Sequence, residues 1–351
     1  MDLTFFLFLS SGLFLGWSLG ANDASNIFGT AVGTKMVKFK TAAIIAAIFI
    51  IIGAVHAGSG ASQTLGELGS INTLPGAFMS ALAAALTIFW IVRSSIPTST
   101  SQAIVGAIIG WNFFASKPTD LSLVTQIVST WVFCPILSGS IAVCLYWSIK
   151  KILRKSRLHL IRQDCYTRIG LILAGAFGAY ALGANNIANV MGVFVPSSPL
   201  KEATLPWGFH LSSTQVLFLI GGIAIGVGVI TYSQKIMNTV GNNLMKMSPL
   251  IAWVVVVSQS LVLFLFASQG LRNFLLSYNL PALPLVPVSS SQAVIGAVMG
   301  IGLAKGGRTL NWTLIGKIIV SWISTPIIAA IICYISLFFL QNVFGQTVYL
   351  P

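Results

Sequence analysis

Apolar runs recur along the chain from residue 3 to residue 344, separated by short polar stretches. A helical crossing of a bilayer needs about 20 apolar residues. On that measure the runs predict ten crossings, near 3–33, 41–58, 76–92, 97–115, 121–149, 169–195, 214–234, 248–270, 285–304 and 312–341. A straight helix over 3–33 would be about 46 Å long against a hydrocarbon core of about 30 Å, so the longest runs are expected to be tilted or broken. The first run has no basic leader, carries Asp2, and passes directly into a polar motif, which reads as a retained helix rather than a cleaved signal. The pattern as a whole predicts an all-α polytopic membrane protein.

Two polar motifs interrupt the runs, and each occurs twice. LGANDASNIFGT at 19–30 is echoed by LGANNIANVMGV at 182–193, and IPTSTSQAIVGAIIG at 96–110 by VPVSSSQAVIGAVMG at 286–300. Trp131 with Pro135 likewise recurs as Trp322 with Pro326. Motif order is the same in both copies, as a duplication requires. With an odd number of crossings in each half, the copies enter the membrane from opposite sides, which predicts two inverted-topology repeats of about five segments each, with broken or re-entrant helices at the midplane. The expected organisation is a first repeat at 1–149, a basic linker at 150–168 and a second, inverted repeat at 169–351.

Composition agrees with a lipid solvent: 56% of the 351 residues are hydrophobic and 7% charged, far below the roughly 25% charged of a soluble domain. The net charge of +13 would point to a nucleic-acid partner in a soluble chain. Here the basic residues sit at the ends of apolar runs, so no nucleic acid is expected and the charge reads as topology. With the N-terminus outside, sixteen of the nineteen Lys and Arg fall on the cytoplasmic side. They include the cluster Lys150, Lys151, Arg154, Lys155, Arg157, Arg162 and Arg168, and only Lys117, Lys201 and Arg272 lie outside. Both termini are then external and the linker cytoplasmic, in a plasma (inner) membrane. The four cysteines have no CxxC spacing, so neither a disulfide nor a metal site is implied.

Of six acidic residues, only Asp23 falls inside an apolar run, where an ionised carboxylate costs about 2.5–3.5 kcal/mol unless it meets water, a cation or a partner. No Lys or Arg lies within a turn or two of it, so a bound cation or a proton is the natural compensation, the alternative being a distant basic side chain. Asn22, Asp23 and Asn26 stand at helical spacing, with Asn185, Asn186 and Asn189 as their counterparts. Hard oxygen donors suit a hard monovalent cation such as sodium, expected at Asp23, Asn26, Asn186 and Asn189. The alternative use of such amides is to tie helices together.

In the second motif Pro97 and Pro287 precede hydroxyl runs and a glutamine: Ser99, Thr100, Ser101 and Gln102 in one copy, Ser289, Ser290, Ser291 and Gln292 in the other. Proline followed by capping hydroxyls reads as a helix restarting inside the membrane. A helix N-terminus attracts anions, and two of them related by inverted symmetry would surround a tetrahedral oxyanion with donors. The alternative is that the hydroxyls bond back to their own helices. An intramembrane hydrolase is disfavoured, because no His, Lys or second Asp within a span is placed to activate a serine. No catalytic residue or resident cofactor is expected.

The GANDASNIFGT, GANNIANVMGV and two PxSxSQ segments, which together span nearly the whole chain, resemble those of the inorganic phosphate transporter family. The resemblance implies cation-coupled symport of phosphate across the plasma membrane, commonly by a homodimer, with sodium or a proton as the coupling ion. It places the cation on Asp23 and Asn26 and their counterparts Asn186 and Asn189, and the anion on Ser99 to Gln102 and Ser289 to Gln292. The second copy departs from the phosphate-transporting pattern, which has aspartate where this chain has Asn186. A sulfate-transporting branch also carries asparagine there, so a sulfate permease is the alternative. An uncoupled anion channel is a remoter one.

Overall fold

The computed structural model describes residues 3–69, 71–155, 159–204, 208 and 210–350; Asp2 and Arg157 lie outside the described residues. Helices dominate, in the order α1 (Leu3–Asn22), α2 (Ala24–Gly33), α3 (Phe39–Ala57), α4 (Ser59–Gly69), α5 (Leu74–Arg93), α6 (Thr100–Phe114) and α7 (Leu121–Lys155). The chain continues through α8 (Leu160–Met191), α9 (Ser213–Tyr232), α10 (Gln234–Asn238), α11 (Pro249–Leu265), α12 (Gln269–Ser277), α13 (Ser290–Ala304) and α14 (Trp312–Asn342). Two residue pairs between α8 and α9, Ala203–Thr204 and His210–Leu211, form a small antiparallel ladder.

Local chemistry starts these helices where polar caps precede apolar runs. The Thr73 hydroxyl accepts from Gly76 N at 3.2 Å with Pro75 in the first turn of α5, a position where the missing proline N–H costs nothing. Ser212 and Gln215 form a reciprocal capping box at α9. The described residues contain seven helical stretches long and apolar enough to span a bilayer, or eight if α11 and α12, bent by 67° at their junction, count as one. The chain is a multi-pass membrane protein.

This differs from the ten expected crossings at 97–115 and 285–304. Those runs give α6 and α13, of 15 residues each, about 22 Å long and too short for a core of about 30 Å. The residues ahead of them, from Ile96 to Ser99 and from Leu280 to Ser289, are non-helical, and the caps Ser99 and Ser289 are extended. Pro97 and Pro287 explain the late start, since proline lacks an N–H and pushes the residue before it out of helical conformation. The segment expected as a loop at 150–168 is helical at both ends, as the last turns of α7 and the first of α8, with 156–158 outside the described residues. Two short helices, α4 and α12, stand where no span was expected.

Packing couples the halves element by element. α6 runs along α14 and α13 along α7; α1 lies on α9 and α8 on α3; α1 also lies on α5 and α8 on α11. Exchanging each helix for its counterpart in the sequence repeat maps this set of pairings onto itself. Glycine makes the closest approaches possible. A Cβ at Gly106 would overlap the carbonyl of Pro326, and one at Gly296 the carbonyl of Pro135. The outer faces carry exposed large apolar residues, such as Val132, Ile136, Ile323 and Ile331, as contact with lipid tails demands.

Candidate functional site

The two short helices begin beside one another in the interior, each at a serine cap. Ser99 Oγ accepts from Gln102 N at 3.2 Å and Ser289 Oγ from Gln292 N at 3.3 Å. Capping satisfies one of the free first-turn donors in each case, and the others remain available at the helix start. The non-helical lead into each helix is braced by the first asparagine of the other motif. Asn22 Oδ1 accepts from Thr98 N at 3.1 Å and its Nδ2 donates to Thr98 O at 2.8 Å. In the second copy Asn185 Oδ1 accepts from Val288 N at 2.7 Å, and its Nδ2 donates to Val286 O at 3.0 Å. These two predicted site residues therefore hold backbone in place, which determines where the hydroxyls sit.

Asp23 stands between the two helix starts. One carboxylate oxygen accepts from Thr100 Oγ1 and, at 3.3 Å, from Asn22 Nδ2; the other accepts from Ser290 Oγ at 2.5 Å. A single carboxylate thus joins the hydroxyl run of the first copy to that of the second. Helix α1 ends one residue before it and α2 begins one residue after it, with Asn26 N bonded to Asp23 O at 3.0 Å across the break. Among the described residues the only ion pair is Arg168–Asp164, exposed and 3.6 Å apart, so no basic side chain there neutralises Asp23.

Around it the remaining predicted residues interlock. Asn26 Nδ2 donates to Ser290 Oγ at 3.0 Å, and Asn189 Nδ2 donates to Ser101 Oγ at 2.9 Å and to Asn186 Oδ1 at 3.3 Å. Ser101 Oγ donates across to Val288 O at 3.2 Å, and the Ser289 and Ser291 hydroxyls are 2.9 Å apart. None of the fourteen predicted site residues is more than 3% exposed, so the site is buried within the protein. Buried amide oxygens without a partner belong to Asn26, Asn189, Gln102 and Gln292, and Asn186 has an unpartnered Nδ2. Buried polar atoms normally find partners, and the Asn26 oxygen is the one tied to Asp23, through the Ser290 hydroxyl that both side chains bond. Among the described residues no three His, Cys, Asp or Glu side chains converge, and the donor set is one of hard oxygens.

Sequence reading passed over Gln259, on α11. Its Nε2 donates to Asn26 O at 2.7 Å, and its Oε1 is buried without a partner. The signal was present as an amide inside an apolar run, between Ser258 and Ser260; intramembrane polar residues are costly enough to be worth listing whether or not they are charged. Thr98, in the lead to α6, is latched to α14 through Thr325 and Ser321, both at 2.8 Å.

The sequence model of the Phosphate transporter family matches this chain over residues 19–333 and again over 275–348. A protein of Methanocaldococcus jannaschii, named as an inferred phosphate permease, is 28% identical over 335 residues, covering 95% of this chain and 97% of that one. One of Haemophilus influenzae, named likewise, is 26% identical over 420 aligned residues, with 95% and 96% covered. A solved structure described as a sodium-dependent phosphate transporter superposes with a TM-score of 0.78 at 22% identity, over 97% of this chain and 99% of that one. That likeness shows the same fold.

Proposed function

The chain belongs to the phosphate transporter family, a family of transporters and not of enzymes, and from that premise we propose that it carries inorganic phosphate across the plasma membrane by sodium-coupled symport. The observation that carries this reading is the Asp23 carboxylate, buried in a span, bonded to a hydroxyl from each copy, and linked through Ser290 to Asn26, whose amide oxygen has no partner. Sodium fills several oxygen positions at once, whereas a proton on Asp23 would satisfy one carboxylate oxygen and leave the amides bare; the donor set therefore favours sodium over proton coupling. Its ligands are Asp23, Asn26 and Asn189, with Gln259 within reach of Asn26.

The anion is assigned to the starts of α6 and α13, where uncapped first-turn N–H groups and the unpartnered Asn186 Nδ2 offer donors, joined by the hydroxyls of Thr100 and Ser290 once a cation takes over Asp23 and frees their protons. Acceptor oxygens beside an anion suit a phosphate that still carries a proton to donate. Sulfate at neutral pH has none, so the same oxygens repel it, and this supports phosphate over the sulfate alternative. Binding is coupled in both directions: sodium neutralises Asp23 and completes the anion shell, so each ligand raises the affinity for the other.

Transport follows from two inverted repeats, at 1–149 and 169–351. In this reading the lead to α6, from the end of α5 next to Arg93, and the lead to α13, after α12, enter from opposite faces. Rocking one repeat against the other opens one lead at a time, which is alternating access. The basic cluster supports a cytoplasmic placement of its own face. Purified protein in liposomes tests the proposal through uptake of labelled phosphate under an inward sodium gradient, an inward proton gradient or neither, with and without excess sulfate. Sodium-driven accumulation that sulfate does not inhibit is expected; uptake of labelled sulfate in its place, or phosphate flux indifferent to both gradients, contradicts it.

A further inference from the structure

At the end of α7 remote from the basic cluster, a polar cavity of about 530 Å³ opens between α4, α7, α12 and the lead to α13. Gln63, Glu67, Gln126, Gln269, Arg272 and Asn273 line it. This is an unusual lining at the margin of a protein whose other grooves on the α6–α14 and α7–α13 pairs are walled by apolar side chains. Arg272 is the only cation among the lining residues. Glu67 is the only carboxylate, and one of its oxygens accepts from Gln63 Nε2 at 3.1 Å.

The cavity is joined to the buried site by a short piece of chain. Thr64 Oγ1 on α4 donates to Leu285 O at 2.6 Å; the next carbonyl, Val286, accepts from Asn185; and Ser289 to Ser291 follow. Five residues of chain, at most about 17 Å, separate Leu285 from Ser290. The first copy has nothing comparable. Only six residues separate α5 from α6, whereas α12 and a long non-helical lead separate α11 from α13, so α12 gives this face a feature that the repeat does not.

Resting on the transport reading above, we infer that this cavity is a staging site, where Arg272 collects the oxyanion before it descends along Leu285–Ser289 to the helix starts. One positive charge in a polar cleft raises the local concentration of an anion. Glu67, opposite in sign, keeps that capture weak, so the anion passes on instead of lodging, as a permeation path requires.

The test is initial-rate uptake of labelled phosphate, and separately of labelled sulfate, into proteoliposomes at constant sodium. Ionic strength is varied with choline chloride. For whichever anion the parent chain carries, Arg272→Gln is expected to raise KM about three- to fivefold at low ionic strength, with the maximal rate within about twofold of the parent. Arg272→Lys should keep the parent KM, Glu67→Gln should lower it, and the differences should shrink as salt screens the charges. An unchanged KM in Arg272→Gln, or a shift of the same sign in Glu67→Gln, overturns the staging site while the transport reading stands. Failure of the parent chain to take up either anion overturns the transport reading and the staging site with it.

Discussion

The Asp23 and Asn186 segments come from one repeated motif, occupy matching places in the packing and lie equally deep, yet their local structures differ. Around Asp23 the helix breaks into α1 and α2, and the carboxylate takes hydroxyl bonds from both hydroxyl runs. Through Asn186 helix α8 runs on without interruption, the side chain accepting only from Asn189 and leaving an N–H bare. Elsewhere the copies agree: Asn22 and Asn185 brace equivalent backbone, and Gly106 and Gly296 press on equivalent proline carbonyls. The scaffold has kept the duplication, and the charge has been confined to one copy. Under the proposed symport, a site built this way takes one cation to balance it and offers a donor where a second carboxylate would have stood.

Making the copies alike at this position is the most severe way to break the comparison. Asp23→Asn is expected to lower gradient-driven phosphate uptake at least about a hundredfold while the purified protein keeps the parent's size-exclusion profile; normal uptake would remove Asp23 from the coupling. The scaffold's symmetry is tested next. Gly106→Val and Gly296→Val each push a side chain into a proline carbonyl, and each should destabilise the fold by about 2–3 kcal/mol. Thermal unfolding in detergent should show the two losses to be similar, with Gly316→Ala, in open space on α14, raising stability slightly if it changes it at all.

Adding charge sharpens the contrast from the other side. Asn186→Asp should weaken phosphate binding about tenfold at low sodium and recover at high sodium, because a second carboxylate needs a second cation. The smallest effects are expected at single hydroxyls. Ser101→Ala, which removes a partner of both Asn189 and Val288, should raise KM for phosphate about fivefold, and Ser291→Ala about threefold. Cys144→Ala on the exposed face should leave KM where it is.

The helical, polytopic character was legible because apolar run length is a direct readout of lipid solvation, and the two hydroxyl runs were legible because a proline one or two residues ahead of serine or threonine carries its own backbone consequence. The shortness of α6 and α13 was not: residues 97–99 and 285–288 are apolar or small enough to count toward a span, and only the fold shows them non-helical. α4 and α12 escaped for the opposite reason, being short and rich in polar residues. Asn22 and Asn26 look alike in a sequence. One holds backbone and the other leaves an oxygen bare, and that difference depends on which groups the fold sets beside them, as does the contact that brings Gln259 to Asn26.

The most direct test of the central claim is phosphate binding to the purified protein, measured with labelled phosphate across a range of sodium concentrations, for the parent chain and for Asp23→Asn. Reciprocal coupling through Asp23 predicts that phosphate affinity rises with sodium in the parent and is flat in the variant. A variant whose phosphate affinity still climbs with sodium as the parent's does would show that the cation binds elsewhere.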